Sequence, residues 1–143
     1  MEVEKIFRAN RESTERMSAI ISRVSDEELS KSVGSDWTIS ITLAHLALWD
    51  QRVIFVIESA KKNNKLHAPY YDHQLNDILT PTLRAIPVRE AARMAIATAE
   101  KLDDDLEQCS TQLIEEMREV NERLIDRSIH RNLHLDEIEN AIK

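Results

Sequence analysis

Gly34 is the only glycine in this 143-residue chain. No other feature constrains the fold as strongly, because the tight turns of a sheet protein draw on residues that take positive φ at little cost. Three prolines and an aromatic content of 4 % add little that a sheet could use, while charged residues make up 31 %. That balance disfavours a sandwich or barrel and favours amphipathic helices. The length suits one domain, residues 1–143, with one core.

Apolar periodicity divides the chain into helices. Val3, Ile6, Phe7, Met17, Ile20, Ile21 and Val24 recur at helical spacing and predict a first helix over 2–23. Ser25-Asp26-Glu27-Glu28 has the pattern of a capping box, which starts a single turn over 26–32 that Gly34-Ser35-Asp36 ends. Thr38 is the N-cap of a second long helix running to about Lys62. Its apolar residues, from Ile39 and Leu43 to Val56 and Ile57, cover more than one side. Such a helix is central in a core or lies in a subunit interface. Residues 63–86 carry Asn63-Asn64, Pro69, the aromatic pair Tyr70-Tyr71 and Pro81, and read as a long connection. It serves either as a lid or binding wall, or as a crossover between two parallel helices. Pro87 fits the first turn of a third long helix, whose Ala91, Ala92, Ala95 and Ala99 permit close packing. A break follows at 109–112, and Leu113, Met117, Val120 and Leu124 open a C-terminal helical region with a kink or short loop within 113–128. The expected fold is all-α, a four-helix bundle with a long crossover between its second and third helices.

Charge narrows the partners. A net charge of −7 and a pI near 5.2 disfavour a nucleic acid or an anionic membrane surface. The N-terminus is charged and periodic, without a signal-peptide core. The longest apolar stretch, residues 39–55, is interrupted by His45, Asp50 and Arg52, and reads as too short and too polar to span a membrane. The lone Cys109 cannot form an intramolecular disulfide and fits a reducing cytosol, so a cytoplasmic location is expected. It reads as a half-buried helix-end residue rather than a reactive thiol.

Chemistry concentrates in three histidines. His130 and His134 are four residues apart, which places both on one face of a helix. His45 lies two turns into the second long helix among apolar residues. Singly, each has an ordinary reading: a hydrogen-bonded core histidine, or a chance pair. Together they can hold one divalent metal and leave positions open for water or substrate. Burying three imidazoles without partners is costly, and a metal satisfies one nitrogen of each. The other nitrogen then needs a carboxylate, carbonyl or water. Glu137 and Asp126 stand one turn from His134 and His130, and are either such partners or solvated surface carboxylates. His67 and His73 read as exposed loop residues.

The segment from Trp37-Thr38 through His45-Leu46 to Trp49-Asp50-Gln51-Arg52 resembles the second helix of the DinB-like superfamily, which includes YfiT-type proteins and the N-terminal domain of mycothiol-dependent maleylpyruvate isomerase. His130-Arg131-Asn132-Leu133-His134 resembles that superfamily's final His-x-x-x-His helix, and Asn76 resembles an Asn often found in the loop over its site. The resemblance implies an up-up-down-down bundle that binds a divalent ion, commonly nickel, zinc or iron, through His45, His130 and His134. It also implies a homodimer and, in some members, reaction with a low-molecular-weight thiol. Two positions depart from the pattern. Leu133 precedes the last histidine where relatives often have Glu, and Ile41 stands where they often have an acidic residue.

Three functions follow as expectations. The first is a metal-dependent enzyme, a thiol-dependent transferase or isomerase or else a hydrolase, acting on a small molecule. The second is a non-catalytic, stress-related protein that binds a metal or small molecule. The third is a metal-free bundle whose apolar second helix supports dimerisation. No Ser–His–Asp or paired-carboxylate arrangement is evident.

Overall fold

A computed structural model describes residues 2–70 and 73–143. Among these the chain forms seven α-helices and no strand: α1 (Glu2–Ser22), α2 (Asp26–Leu29), α3 (Ile39–Asn63), α4 (Gln74–Arg84), α5 (Val88–Glu107), α6 (Thr111–Val120) and α7 (Ser128–Ala141). A short 3-10 turn over Glu122–Leu124 precedes α7.

The predicted caps are present. Ser25 and Glu28 form the reciprocal capping box of α2. The Thr38 side chain accepts the Ile41 N–H at the head of α3, and Asn64 closes that helix in the left-handed region at φ 55°. Gly34 takes φ +96° in the bend between α2 and α3. That bend is tied by Val33 N–H to Trp37 O and Ile39 N–H to Lys31 O. It sets Trp37 at the mouth of α3.

Two expectations need correction. Residues 63–86 are not a structureless connection, because α4 occupies Gln74–Arg84 with Pro81 inside it. Leu75, Leu79 and Leu83 recur every four residues and turn one side of α4 inward, Leu83 being buried. Pro81 forfeits one intrahelical hydrogen bond but sits exposed, where the ring is accommodated. Tyr71 lies outside the described residues.

The second correction concerns direction. Two apolar clusters fill the interior, one built on Met17, Ile20, Ile39, Leu43, Ala92, Ala95 and Leu135. The other is built on Ile6, Val53, Ile57, Leu102, Leu106, Met117 and Ile125. Helix α1 runs from the second cluster to the first, α3 and α5 run from the first to the second, and α7 rises again to the first. The order is therefore up-down-down-up rather than up-up-down-down. The physical reason lies in the links: α1 and α3 are joined across one end, whereas 64–87 must return the length of α3 to start α5 parallel to it. This is the expected long crossover, with α4 packed along α3 on Ile41, Ala44 and Leu83. Helix α3 packs on α5, α4 and α7, and α1 packs on α5 and α7.

Every residue from Ile39 to Ala47 is buried, so the first turns of α3 have no solvent face, as its apolar sides require. By length and mean hydropathy α3 could also cross a membrane, contrary to the expectation from residues 39–55 alone. The helix runs on to Asn63, and 78 % of its most apolar window is buried against the other helices.

A polar layer separates the two apolar clusters. Arg131 is fully buried and donates to Asp50 Oδ2 (3.1 Å), Asp103 Oδ1 (2.9 Å), Thr14 Oγ1 (3.0 Å) and the Asn10 carbonyl (3.1 Å). Thr14 donates to the other Asp103 oxygen at 2.5 Å. One guanidinium thus joins α1, α3, α5 and α7. Burial pushes the Asp103 carboxyl upward, against the lowering pull of Arg131 and Thr14.

Candidate metal centre

Helix α3 supplies His45 and helix α7 supplies His130 and His134. Their ring centroids are 5.0 Å (45–130), 4.8 Å (45–134) and 4.9 Å (130–134) apart, with the planes steeply inclined. One nitrogen from each ring lies within 4.8 Å of the other two. His45 Nε2 and His130 Nε2 approach to 3.0 Å. The second long helix and the last one thus converge on the three imidazoles that spacing singled out.

Local structure explains the convergence. The Thr38 cap starts α3, and packing of the buried run after it fixes the helix's rotation, which turns His45 inward. The start of α7 is clamped from α1: Asn10 Oδ1 accepts the N–H groups of Arg127 (2.9 Å) and Ser128 (3.1 Å), and its Nδ2 donates to the Ile125 carbonyl (2.8 Å). Asn10 thereby replaces the cap that Arg127 itself does not provide. Arg127 Nε binds Asp50 Oδ1 at 2.9 Å, just over a turn along α3 from His45. The site and the polar layer share this anchoring.

The far nitrogens of the three rings have different surroundings. His134 Nδ1 and Glu137 Oε1 are 2.6 Å apart, so Glu137 is the orienting carboxylate that spacing allowed. Asp126 has the other role, accepting the Ser128 N–H (3.2 Å) and hydroxyl (2.6 Å). His45 Nδ1 is buried without a hydrogen-bond partner. His130 Nδ1 faces Arg127 Nη2 at 3.4 Å. Burial, the His134 ring and the Arg127 charge drive the His45 pKa down to about 3. Burial, with Arg127 next, drives that of His130 to about 2. Both imidazoles are neutral at pH 7, as metal ligation requires.

The residues fit a divalent ion. Nitrogens about 2.0–2.1 Å from a tetrahedral ion stand roughly 3.3 Å from one another, so this cluster needs only sub-ångström to ångström adjustments. The close His45–His130 approach requires a proton on one of the two Nε2 atoms, and an ion would take its place. His134 already points Nδ1 at a carboxylate, the arrangement that leaves Nε2 as the donor atom. At His130 the Arg127 contact favours the opposite tautomer, so Arg127 Nη2 must swing off Nδ1 when Nε2 binds.

Two tryptophans wall the cluster. The Trp37 ring centroid is 4.7 Å from that of His45 and 6.3 Å from that of His134, and Trp49 stands at 6.4 Å from His45. Their indole N–H groups donate to Thr80 (3.2 Å) and Asn76 (2.9 Å), which pins α4 across this face. Asn76 therefore belongs to a helix, not a loop, and touches Trp49. His67 and His73 are exposed, as expected, and stand outside the cluster. Cys109 is half-buried at the end of α5, where burial raises its thiol pKa and its Sγ meets the Asp105 carbonyl at 3.2 Å. A cavity of about 430 Å³ opens beside His130, with Trp49, Arg123 and Arg127 in its wall.

The residues that sequence reasoning missed are Arg127, Arg131 and Asn10. Arg127 and Arg131 did carry a signal, standing at positions i−3 and i+1 from His130, on the inward side of a helix whose outer face holds Ile129 and Leu133.

Comparison with curated proteins and with solved structures returned no match. The sequence pattern of the DinB superfamily matches residues 9–139, a span that includes all three histidines and both tryptophans. The chain belongs to the DinB superfamily.

Proposed function

We propose that this protein is a divalent-metal-dependent enzyme acting on a small molecule, with His45, His130 and His134 as the ligands. One observation carries the reading: three imidazoles from two helices, two of them held neutral by burial, meet at one point in the bundle. Structural zinc sites close with four protein ligands, and no fourth Cys, His or carboxylate joins this cluster among the described residues. A three-nitrogen set leaves an ion with open positions and its full positive charge. Zinc, nickel and iron all suit imidazole. Such an ion supplies a Lewis acid that activates bound water or holds a thiol as thiolate, so hydrolysis and thiol transfer or isomerisation are both within its chemistry.

The chain's own residues have defined parts in this reading. Glu137 holds the His134 ring by its Nδ1. Trp37 and Trp49 exclude water from the flanks of the cluster and orient α4 over it. The cavity beside His130 has the size of a small-molecule site. A non-catalytic binding protein has the same ligands, and turnover separates the two readings. A homodimer is part of the proposal, supported by the exposed apolar pair Ile129 and Leu133 on α7.

The test is metal content. Protein purified without a polyhistidine tag is expected to hold about one ion per chain, and His130→Ala to lose most of it, because one of three ligands is gone. Unchanged content in the variant overturns the site. Turnover of thiol-plus-electrophile pairs, esters or amides by the parent, and not by His130→Ala, separates the enzyme from the binding protein.

A further inference from the structure

We infer that the cavity beside His130 binds the oxyanion of a small-molecule ligand, a carboxylate or a phosphate monoester, with Arg123 and Arg127 as the recognition groups. The inference rests on the reading of the three histidines as the reacting centre, and names the class of molecule presented to it.

Among the described residues the wall of the cavity has an inverted charge: it holds Arg123 and Arg127 and no Asp or Glu, in a chain whose net charge is −7. The inversion is local. A second cavity of about 420 Å³, on the Trp37 side of the bundle, has Asp36, Asp77 and Arg84 in its wall. Clefts lined with one sign of charge and backed by low-dielectric protein concentrate ions of the other sign.

The guanidiniums are built into place. Arg127 is 6 % exposed, held by Nε on Asp50 Oδ1 (2.9 Å) and by Nη1 on the Arg123 carbonyl (2.9 Å). Its remaining edge, Nη2, faces His130 Nδ1 at 3.4 Å. The same Nη1 contact fixes the backbone of the turn that carries Arg123, and Asn121 Oδ1 fixes it again by accepting the Arg123 N–H at 2.9 Å. The Arg123 side chain is exposed and makes no ion pair among the described residues. Two guanidiniums four residues apart therefore border one cavity, one anchored and one available. Planar guanidiniums match the spacing of oxygens in carboxylate and phosphate groups. Trp49 supplies an apolar wall for the rest of the ligand. An oxyanion that draws Nη2 away from His130 Nδ1 also relieves the contact that opposes ligation by Nε2, so anion and metal are expected to favour one another.

The experiment titrates the full-length chain, stripped with chelator, with benzoate, phenyl phosphate and neutral benzyl alcohol, read by calorimetry and by amide chemical shifts. Saturable one-to-one binding of the two anions but not of the alcohol is expected. Arg123→Gln weakens it about tenfold, consistent with loss of one charge-assisted contact, Arg123→Glu abolishes it, and Arg84→Gln in the other cavity leaves it unchanged. The tighter of the two anions assigns the ligand class. Because Arg123 is exposed, its variants retain the fold, and weakening of benzoate binding by sodium chloride gives a second readout. Equal binding of benzyl alcohol, no saturation, or indifference to Arg123→Glu overturns the inference. With normal metal content such a result removes the anion site alone, while loss of the metal reading leaves anion binding by the stripped chain intact.

Discussion

A buried imidazole that stays neutral makes stability depend on pH, and the sign is fixed by which state takes the proton. Unfolded histidines titrate near 6.5, whereas His45 and His130 in the fold do so near 3 and 2. Below about 6.5 the unfolded chain binds more protons than the folded one, so stability falls as pH falls from that value toward 3. In metal-free protein the urea midpoint is expected to drop between about pH 7 and pH 4.5. His130→Gln keeps a polar partner for His45 but removes one of the two groups, and is expected to flatten that drop. An unaltered slope in urea titrations of the variant counts against burial of the ring. At pH 7 the same shifts mean that protons compete little with a metal for these nitrogens.

At the scale of elements, two helices that carry the site are started by different devices. Thr38 caps α3 two turns before His45, and replacing its hydroxyl leaves the Ile41 N–H without that acceptor. Thr38→Ala is expected to cost about 1 kcal/mol, measured by chemical denaturation, with metal content retained because packing still sets the rotation of α3. A large loss of metal in a folded variant contradicts this account of what orients His45. Helix α7 is started differently, by Asn10 reaching from α1. Local sequence could reveal the first device and not the second, since Thr38 stands beside the helix it caps and Asn10 is far along the chain from its own. Helix α4 went unread for a related reason: Pro81 and the preceding Pro69 and tyrosines suggested a loop, while Leu75, Leu79 and Leu83 kept a helical period through it.

For the whole molecule the decisive feature is the polar layer between the two apolar clusters. Arg131 and Arg127 share Asp50, and Arg131 also holds Asp103, with every member buried. Exposed pairs such as Arg11 with Glu107 also link α1 to α5, but solvent leaves them little weight. The buried layer differs, because removing one partner strands a charge. Asp50→Ala is expected to destabilise the fold by about 3–5 kcal/mol, seen as a lower denaturation midpoint. An effect below about 1 kcal/mol would show that water reaches Arg127 and Arg131 readily. The layer also links site to scaffold, since the Asp50 that braces Arg127 lies just over a turn from His45, and Arg127 in turn borders His130 and the cavity.

The amino-acid order by itself determined the long helices, the caps at Ser25 and Thr38, the several apolar sides of α3 and the candidacy of His45, His130 and His134. These are properties of spacing within a segment, and helical geometry converts spacing into a face. Tertiary structure decided which faces meet: the up-down-down-up path, the clamp by Asn10, the sorting of Glu137 to His134 and Asp126 to Ser128, and the guanidiniums around the cavity. Those outcomes join groups whose meeting depends on packing, and their energies come from desolvation and charge pairing that exist only once the helices have packed.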